Sequence, residues 1–345
     1  MDKTCNKIVY VGYAFGHHKG THGGYHHIRE HVKYDYIIDC QHYQDKLENA
    51  HNKKSIFSKV CHRINGLIFG TAIFPSFLFH CLWLSLKHHH QLTFHFIYSE
   101  GLYLPLAPLF LAKSKVVCTV HLPVERIRRS KLIKRLSNVN QIILVGEKDI
   151  EDIKSLTNNN NVVFIPHGVD TQFYSPQESK AKEPYILTVG NMLRDYHLAN
   201  EVFIILSKKY PNLKYVIVAH TVNKEIFSGN KNVKILKGIS DTELRNLYRG
   251  CECFYLPVKK YTANNALLEA ASVGCNILIS SDHIDESYIP YQYIKTCPLT
   301  VDDCVLHLSQ ILDKEIRSND FRLYVQNNLD WSVIGKKTEK LLRNI

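Results

Sequence analysis

Short apolar runs alternate with amphipathic stretches along the whole chain. KIVYVGYA, YDYIIDC, TFHFIY, KVVCTV, QIILV and NVVFI are nearly continuous apolar segments, the pattern of strands covered on both faces. Most of the segments between them carry helical periodicity, so the alternation predicts a parallel sheet with helices on both faces. After residue 173 the stretch YSPQESKAKEP is polar, contains proline and lacks apolar periodicity, which marks a linker. A second series follows: strands YILTVG, LKYVIVA, NVKILKG, CFYLPV and NILIS, with helices predicted over residues 196–209, 240–248 and 264–273. The closing LDWSVIGKKTEKLLRNI reads as an amphipathic helix, with Trp331, Val333, Ile334 and Leu341 available for packing. The expected fold class is α/β, two Rossmann-like doubly wound lobes facing each other across a cleft. The expected boundaries are a first lobe over 1–174, a linker over 175–184, a second lobe over 185–330 and a final helix over 331–345.

A length of 345 residues agrees with two domains, since one hydrophobic core stops growing below that size. The formal charge of +11 favours a polyanionic neighbour: nucleic acid, an anionic membrane surface or a phosphorylated substrate. Nucleic acid ranks last, because the chain has neither an aromatic-rich RNA platform nor a DNA-reading module. Ten scattered cysteines without a CxxC pair suit a reducing cytoplasm. The N-terminal stretch lacks the apolar core and cleavage site of an export signal. Residues 67–86, LIFGTAIFPSFLFHCLWLSL, are uncharged and long enough to span a bilayer, but Gly70, Pro75, Ser76 and His80 interrupt them. A buried helix or a membrane-docking face is the expectation there. The basic stretch VERIRRSKLIKRLS, with Arg126, Arg128, Arg129, Lys131, Lys134 and Arg135, reads as a solvated helix face that could also hold an anionic leaflet.

Ligands of open parallel sheets bind beyond the carboxyl ends of the strands, and the strand-end loops here are informative. In FYLPVKKYTANNALLEAASVGCNILIS, Thr262, Asn264 or Asn265 can cap a helix whose first N–H groups and positive dipole end, at Asn265 and Ala266, suit a diphosphate. Glu269, about a turn further in, could accept two hydrogen bonds from a ribose diol, or could be an ordinary solvent-facing glutamate. The glycine loop GHHKGTHGGYHH after the first strand raises the question of a metal, since His22 and His26 are four apart. The adjacent pairs at 17–18 and 26–27 diverge, however, and neither a carboxylate nor a cysteine stands at ligand spacing. A glycine-rich acceptor loop that happens to carry imidazoles is the better account, and no metal is expected.

These segments together resemble glycosyltransferase family 4. FYLPVKKYTANNALLEA resembles that family's nucleotide-sugar signature, with TANNALLEA similar to one variant of it. IPHGVDTQFYSP, ILTVGNMLRDYHLANEVF and KGISDTELRNLYRGCECFYLP follow its remaining motifs in order, and LDWSVIGKKTEKLL is similar to the helix that crosses back to the first lobe. The resemblance implies a GT-B fold and a retaining reaction. A nucleoside-diphosphate sugar would donate a hexosyl unit to a glycan or lipid-diphosphate-linked saccharide, in cell-surface polysaccharide synthesis on the cytoplasmic side of a membrane. It implies donor contacts at Gly190, Asn191, Arg194, Lys260, Tyr261, Thr262, Asn264, Asn265, Ala266 and Glu269. It also implies His121 facing the transferring sugar, with Gly23, Gly24, Tyr25 and Glu100 on the acceptor side. No cofactor is implied beyond the donor itself, and the lack of a DxD pair in a strand-end loop agrees with a metal-independent reaction.

Two positions depart from the family pattern. Tyr261 stands where the signature's first glutamate belongs, beside Lys259 and Lys260, and Asn191 stands where arginine is common. Tyr261 therefore keeps alive a non-catalytic sugar-nucleotide-binding or partner protein on the same architecture. A sugar-nucleotide epimerase or a phosphorylase is a further alternative.

Overall fold

In a computed structural model of the chain, the described residues are 7–50, 63–65, 67–68, 71–89, 91–111, 113–177, 183–259, 264–281, 288, 290–313 and 320–345. They form two compact units. The first comprises the described residues up to Gly20, Gly24–His167 and Ser332–Ile345; the second comprises Thr21–Gly23 and Gly168–Trp331.

The first unit is built on a six-stranded parallel sheet. Its strands are β1 (Lys7–Gly12), β2 (Tyr36–Asp39), β3 (Leu92–Phe96), β4 (Lys115–Val120), β5 (Gln141–Leu144) and β6 (Val162–Phe164), in the order β2-β1-β3-β4-β5-β6. Its helices are α1 (Ile28–His31), α2 (Gln41–Ala50), α3 (Phe77–Lys87), α4 (Ser99–Leu102), α5 (Ala107–Leu111), α6 (Val124–Arg128), α7 (Leu132–Leu136) and α8 (Ile150–Thr157). Every residue of β3 and β5 is buried, as the unbroken apolar runs require of a parallel sheet covered on both sides. The steps β2 to β3, β3 to β4, β4 to β5 and β5 to β6 all cross the sheet in one direction. Right-handed crossovers therefore put α3, α5, α6–α7 and α8 on one face, and α1, on the reverse step β1 to β2, on the other.

The second unit repeats the plan. Strands β7 (Tyr185–Val189), β8 (Lys214–Val218), β9 (Val233–Leu236), β10 (Cys253–Pro257), β11 (Ile277–Ser280) and β12 (Lys295–Cys297) lie parallel in the order β12-β11-β10-β7-β8-β9. The helices are α9 (Tyr196–Lys209), α10 (Asp241–Gly250), α11 (Asn265–Val273), α12 (Val301–Leu312) and α13 (Asp320–Asn328). One core cluster gathers Ile186, Phe203, Tyr215, Tyr255, Leu278 and Leu308 between the sheet and its helices, with Phe203 stacked on Tyr215 at 4.1 Å.

The last helix, α14 (Trp331–Asn344), belongs to the first unit from Ser332 onward. Gly335 makes this docking possible. A Cβ there would lie 2.2 Å from the carbonyl oxygen of His31, closer than any side chain tolerates. Lys33 N–H donates to Glu339, and Arg343 donates to the Lys33 carbonyl at 2.7 Å. The predicted strands all form, and so do the predicted helices at 196–209, 240–248 and 264–273. Strand β12, three residues at a sheet edge, and helix α13 have no counterpart among the predicted elements.

Candidate functional site

In the second unit three of the expected donor residues, Gly190, Arg194 and Asn264, meet at the carboxyl ends of β7 and β10. Strand β7 stops at Gly190, whose φ of +107° suits glycine. A Cβ there would also lie 2.7 Å from the Arg194 guanidinium. Arg194 folds back on this turn: Nε and Nη2 donate to the Val189 carbonyl at 3.1 and 3.0 Å, and Nη1 to Met192 at 3.0 Å. Burial lowers its pKa, though a guanidinium keeps its charge in a protein. Asp195 caps α9 by accepting from Leu198 N–H at 3.1 Å and pairs with Lys259 at 3.2 Å. Asp195 N–H in turn donates to the Pro257 carbonyl and Lys259 N–H to the Leu193 carbonyl, so the loop after β7 is laced to the end of β10. Asn191 is exposed, and its Oδ1 accepts from the backbone and hydroxyl of Thr221.

Arg194 reaches α11 through Asn264. Its Nη2 donates to Asn264 Oδ1 at 3.3 Å, and the same oxygen caps the helix by accepting from Leu267 N–H at 3.3 Å. Asn264 is 6% exposed, and its Nδ2 is a buried donor with no partner among the described residues. A buried donor left unpaired is costly, so this one asks for an acceptor. The N–H groups of Asn265 and Ala266 in the first helical turn precede the intrahelical ladder and add to the positive dipole end. Orphan amide, helix terminus and guanidinium thus gather where an anion would be held. Lys260, Tyr261 and Thr262, expected at this site, lie outside the described residues.

Glu269 occupies different surroundings. It is buried rather than facing solvent, and Tyr248 OH donates to its Oε2 at 3.0 Å. Burial raises its pKa to about 7, while hydrogen bonds from Tyr248 and Tyr174 pull the other way. Both phenols were invisible to the sequence reading, although Tyr174 stands within the IPHGVDTQFYSP motif and Tyr248 in the predicted helix 240–248.

The first unit brings its own expected residues together around His121. Its Nε2 donates to the Ile97 carbonyl at 2.8 Å, and Tyr25 and Tyr98 stand against the ring at 4.7 and 4.9 Å. Burial lowers the His121 pKa, with the Glu100 carboxylate opposing, and the ring is neutral near pH 7. Glu100 Oε1 accepts the backbone N–H of His121 and of Leu122, the latter at 2.9 Å, and so shapes the loop after β4. Gly24 has φ +102°, and the buried Tyr25 donates its N–H to Tyr98 OH at 3.1 Å.

Gly23 is not with them, because residues 21–23 pack as part of the second unit. There His22 Nδ1 donates to Asp170 Oδ2 at 2.7 Å, its ring stacks on Phe173 at 3.5 Å, and its backbone N–H donates to the Asp241 carboxylate. His26 instead stands beside His27 in the first unit, with its pKa lowered to about 4 by burial. The two histidines of the i, i+4 spacing are thus committed to different units. No group of three or more His, Cys, Asp or Glu side chains among the described residues could hold a metal ion.

Residues 170–327 match the family model described as Glycosyl transferases group 1. No curated protein sequence matches the chain. Among solved structures, the chain is similar to a glycosyltransferase from Rickettsia africae (12% identity, TM-score 0.67, covering 99% of this chain and 98% of that one). It is also similar to HepE of Anabaena in complex with UDP-glucose (10% identity, TM-score 0.68, 98% and 100%). A third is the sucrose-phosphate synthase of Thermosynechococcus elongatus (15% identity, TM-score 0.59, 78% and 78%). The fold is the one these structures share, GT-B with two Rossmann-like lobes.

Proposed function

We propose that the protein is a retaining glycosyltransferase of the family 4 type, moving a hexosyl unit from a nucleoside-diphosphate sugar to a glycan or lipid-linked saccharide in cell-surface polysaccharide synthesis. The observation that carries this reading is the Nδ2 of Asn264, without a partner among the described residues and buried at the N-terminus of α11, with the Arg194 guanidinium bonded to the same side chain. Donors fixed in advance where negative charge grows on a departing diphosphate are the largest single contribution in many active sites. The match of residues 170–327 to a glycosyltransferase family supports the same chemistry. Neutral His121 would orient the sugar, and Glu269, once its two phenols rearrange, would receive the ribose. Buried cysteines at eight described positions agree with a reducing compartment, the cytoplasm. No step in this scheme requires a metal.

Thermal stabilisation by a panel of UDP-, GDP-, ADP- and CDP-sugars tests the reading, since a specific ligand raises apparent stability by mass action. One nucleotide sugar is expected to stabilise the chain, and Asn264→Ala to weaken its binding at least about tenfold, as loss of a charge-assisted donor should. The released nucleoside diphosphate, measured with EDTA present, then reports turnover. Binding without release, with or without acceptor, would instead identify a non-catalytic sugar-nucleotide-binding protein, the reading that Tyr261 in place of glutamate favours.

A further inference from the structure

The first unit carries a surface that the donor site does not use. Ile64, Leu67, Ile68, Phe74, Phe79, Trp83, Leu86 and Leu109 are all exposed, and they fall within one stretch of the chain. Helices α3 and α5 pack side by side, and each exposes large apolar residues: Phe79, Trp83 and Leu86 on the one, and Leu109, 71% exposed, on the other. Phe79 meets Phe74 at 5.7 Å and Phe110 at 5.3 Å, an aromatic contact that bridges the two helices. Scattered exposed apolar residues need no explanation; a contiguous group of large ones does.

Charge indicates what covers it. From residue 49 to residue 124 the sequence contains one acidic residue, Glu100, and that carboxylate is occupied by backbone N–H groups. Exposed Lys87 and Lys113 border the patch, and the Lys87 ammonium lies 4.8 Å from the Trp83 ring centre. The next elements on the same face of the sheet, α6 and α7, expose Arg126, Arg128, Arg129, Lys131 and Lys134 against a single exposed carboxylate of their own, Glu125. On α8, which packs against both basic helices, Asp152 pairs with Arg128 at 4.0 Å, so Arg126, Arg129, Lys131 and Lys134 carry the basic character of this flank. An apolar face with a Trp–Lys pair and a basic flank has the composition of an interfacial membrane contact. No helix among the described residues is long and apolar enough to cross a membrane.

We infer that the face formed by α3 and α5, with α6 and α7 at its edge, docks on an anionic phospholipid bilayer. The aromatic and leucine side chains enter the headgroup boundary, and the arginines and lysines hold the phosphates. A second copy of the chain is disfavoured as the occupant, because pairing two such faces would bring like-charged rims together. The inference rests on the first unit alone and does not depend on glycosyl transfer.

The protein supplies its own reporter. It has two tryptophans: Trp331 is 2% exposed and Trp83 is 54% exposed at the centre of the patch. Vesicles of three parts phosphatidylcholine to one part phosphatidylglycerol should shift Trp emission to the blue, and phosphatidylcholine alone should shift it far less. Phe79→Ser with Leu86→Ser, and separately Arg129→Glu with Lys131→Glu and Lys134→Glu, should each weaken vesicle partitioning about tenfold or more, with circular dichroism unchanged. No shift on the anionic vesicles, or a shift that either set of substitutions leaves intact, overturns the inference. A concentration-dependent dimer that Phe79→Ser with Leu86→Ser abolishes, without vesicle binding, overturns it in favour of self-association. The assay contains no nucleotide sugar, so its failure leaves the donor-site reading standing.

Discussion

A carboxyl group with a pKa of about 7 makes Glu269 a sensor of its own burial. Its native pKa lies above the ordinary value of 4.5, so the folded state binds the proton more tightly than the unfolded chain does. The resulting stability is fully present below pH 4.5 and is lost as pH rises through 7. At about 1.36 kcal/mol per unit the span amounts to roughly 3 kcal/mol, as an order of magnitude. Glu269→Gln removes the titration while keeping an acceptor for Tyr248. Its second-unit transition should therefore melt higher than wild type at pH 8 and converge with it at pH 5, as calorimetry would record. Glu269→Ala is the poorer probe, because it also strands the Tyr248 hydroxyl, at about 1–3 kcal/mol for a buried polar group left unpaired. In either variant nucleotide affinity should fall if the ribose is held here; unchanged affinity removes Glu269 from the donor site. Its place about a turn into the helix marks Glu269 in the sequence. That local signal could not supply the phenols, which arrive from segments 21 and 95 residues away in the chain (269 − 248 and 269 − 174).

At the scale of single elements, helix ends rest on short local signals. The Ser240 hydroxyl accepts from Glu243 N–H at 3.2 Å while Glu243 accepts from Ser240 N–H at 2.8 Å, a reciprocal cap visible as S-x-x-E before α10. Ser240→Ala should lower the melting temperature by about two to four degrees, the size expected for one lost cap in a chain of this length. Helix α11 likewise ends on Gly274 at φ +82°, where glycine avoids a steric penalty. The basic run at 124–136 is a different case. It reads as one helix, yet it divides into α6 and α7, with the Ser130 hydroxyl donating to the Ile127 carbonyl and accepting from Leu132 N–H. Such local side-chain bonds compete with the helical ladder, and apolar periodicity does not register them. Strand β12 escaped notice because three residues at a sheet edge carry too short a pattern to stand out.

For the whole molecule, the decisive contact is between α14 and the helix near the chain's other end. Gly-to-Ala in a helix interior ordinarily stabilises by up to about 1 kcal/mol. Gly335→Ala should do the opposite, because the added Cβ would meet a backbone carbonyl that cannot swing away. Thermal unfolding of the first-unit transition checks the sign; a higher melting temperature would mean that α14 does not pack as closely as described.

The succession of strands and helices, their grouping into two series and the caps that start and stop several helices were all set by the sequence alone. Each depends on periodicity or spacing within about ten residues, a range over which backbone sterics and local hydrogen bonding decide. The family resemblance implies that the last helix returns to the first lobe, and Ser332–Ile345 does so; only the tertiary structure determined that Thr21–Gly23 belongs with the second unit. It alone brought His22 to Asp170 across 148 positions and divided the apolar residues of α3 between a buried side, with Phe77, Leu78, Cys81 and Leu84, and an exposed one, with Phe79, Trp83 and Leu86. Contacts at such separation are selected by which surfaces are left to bury once local structure exists, and no pattern along the chain encodes that selection by itself.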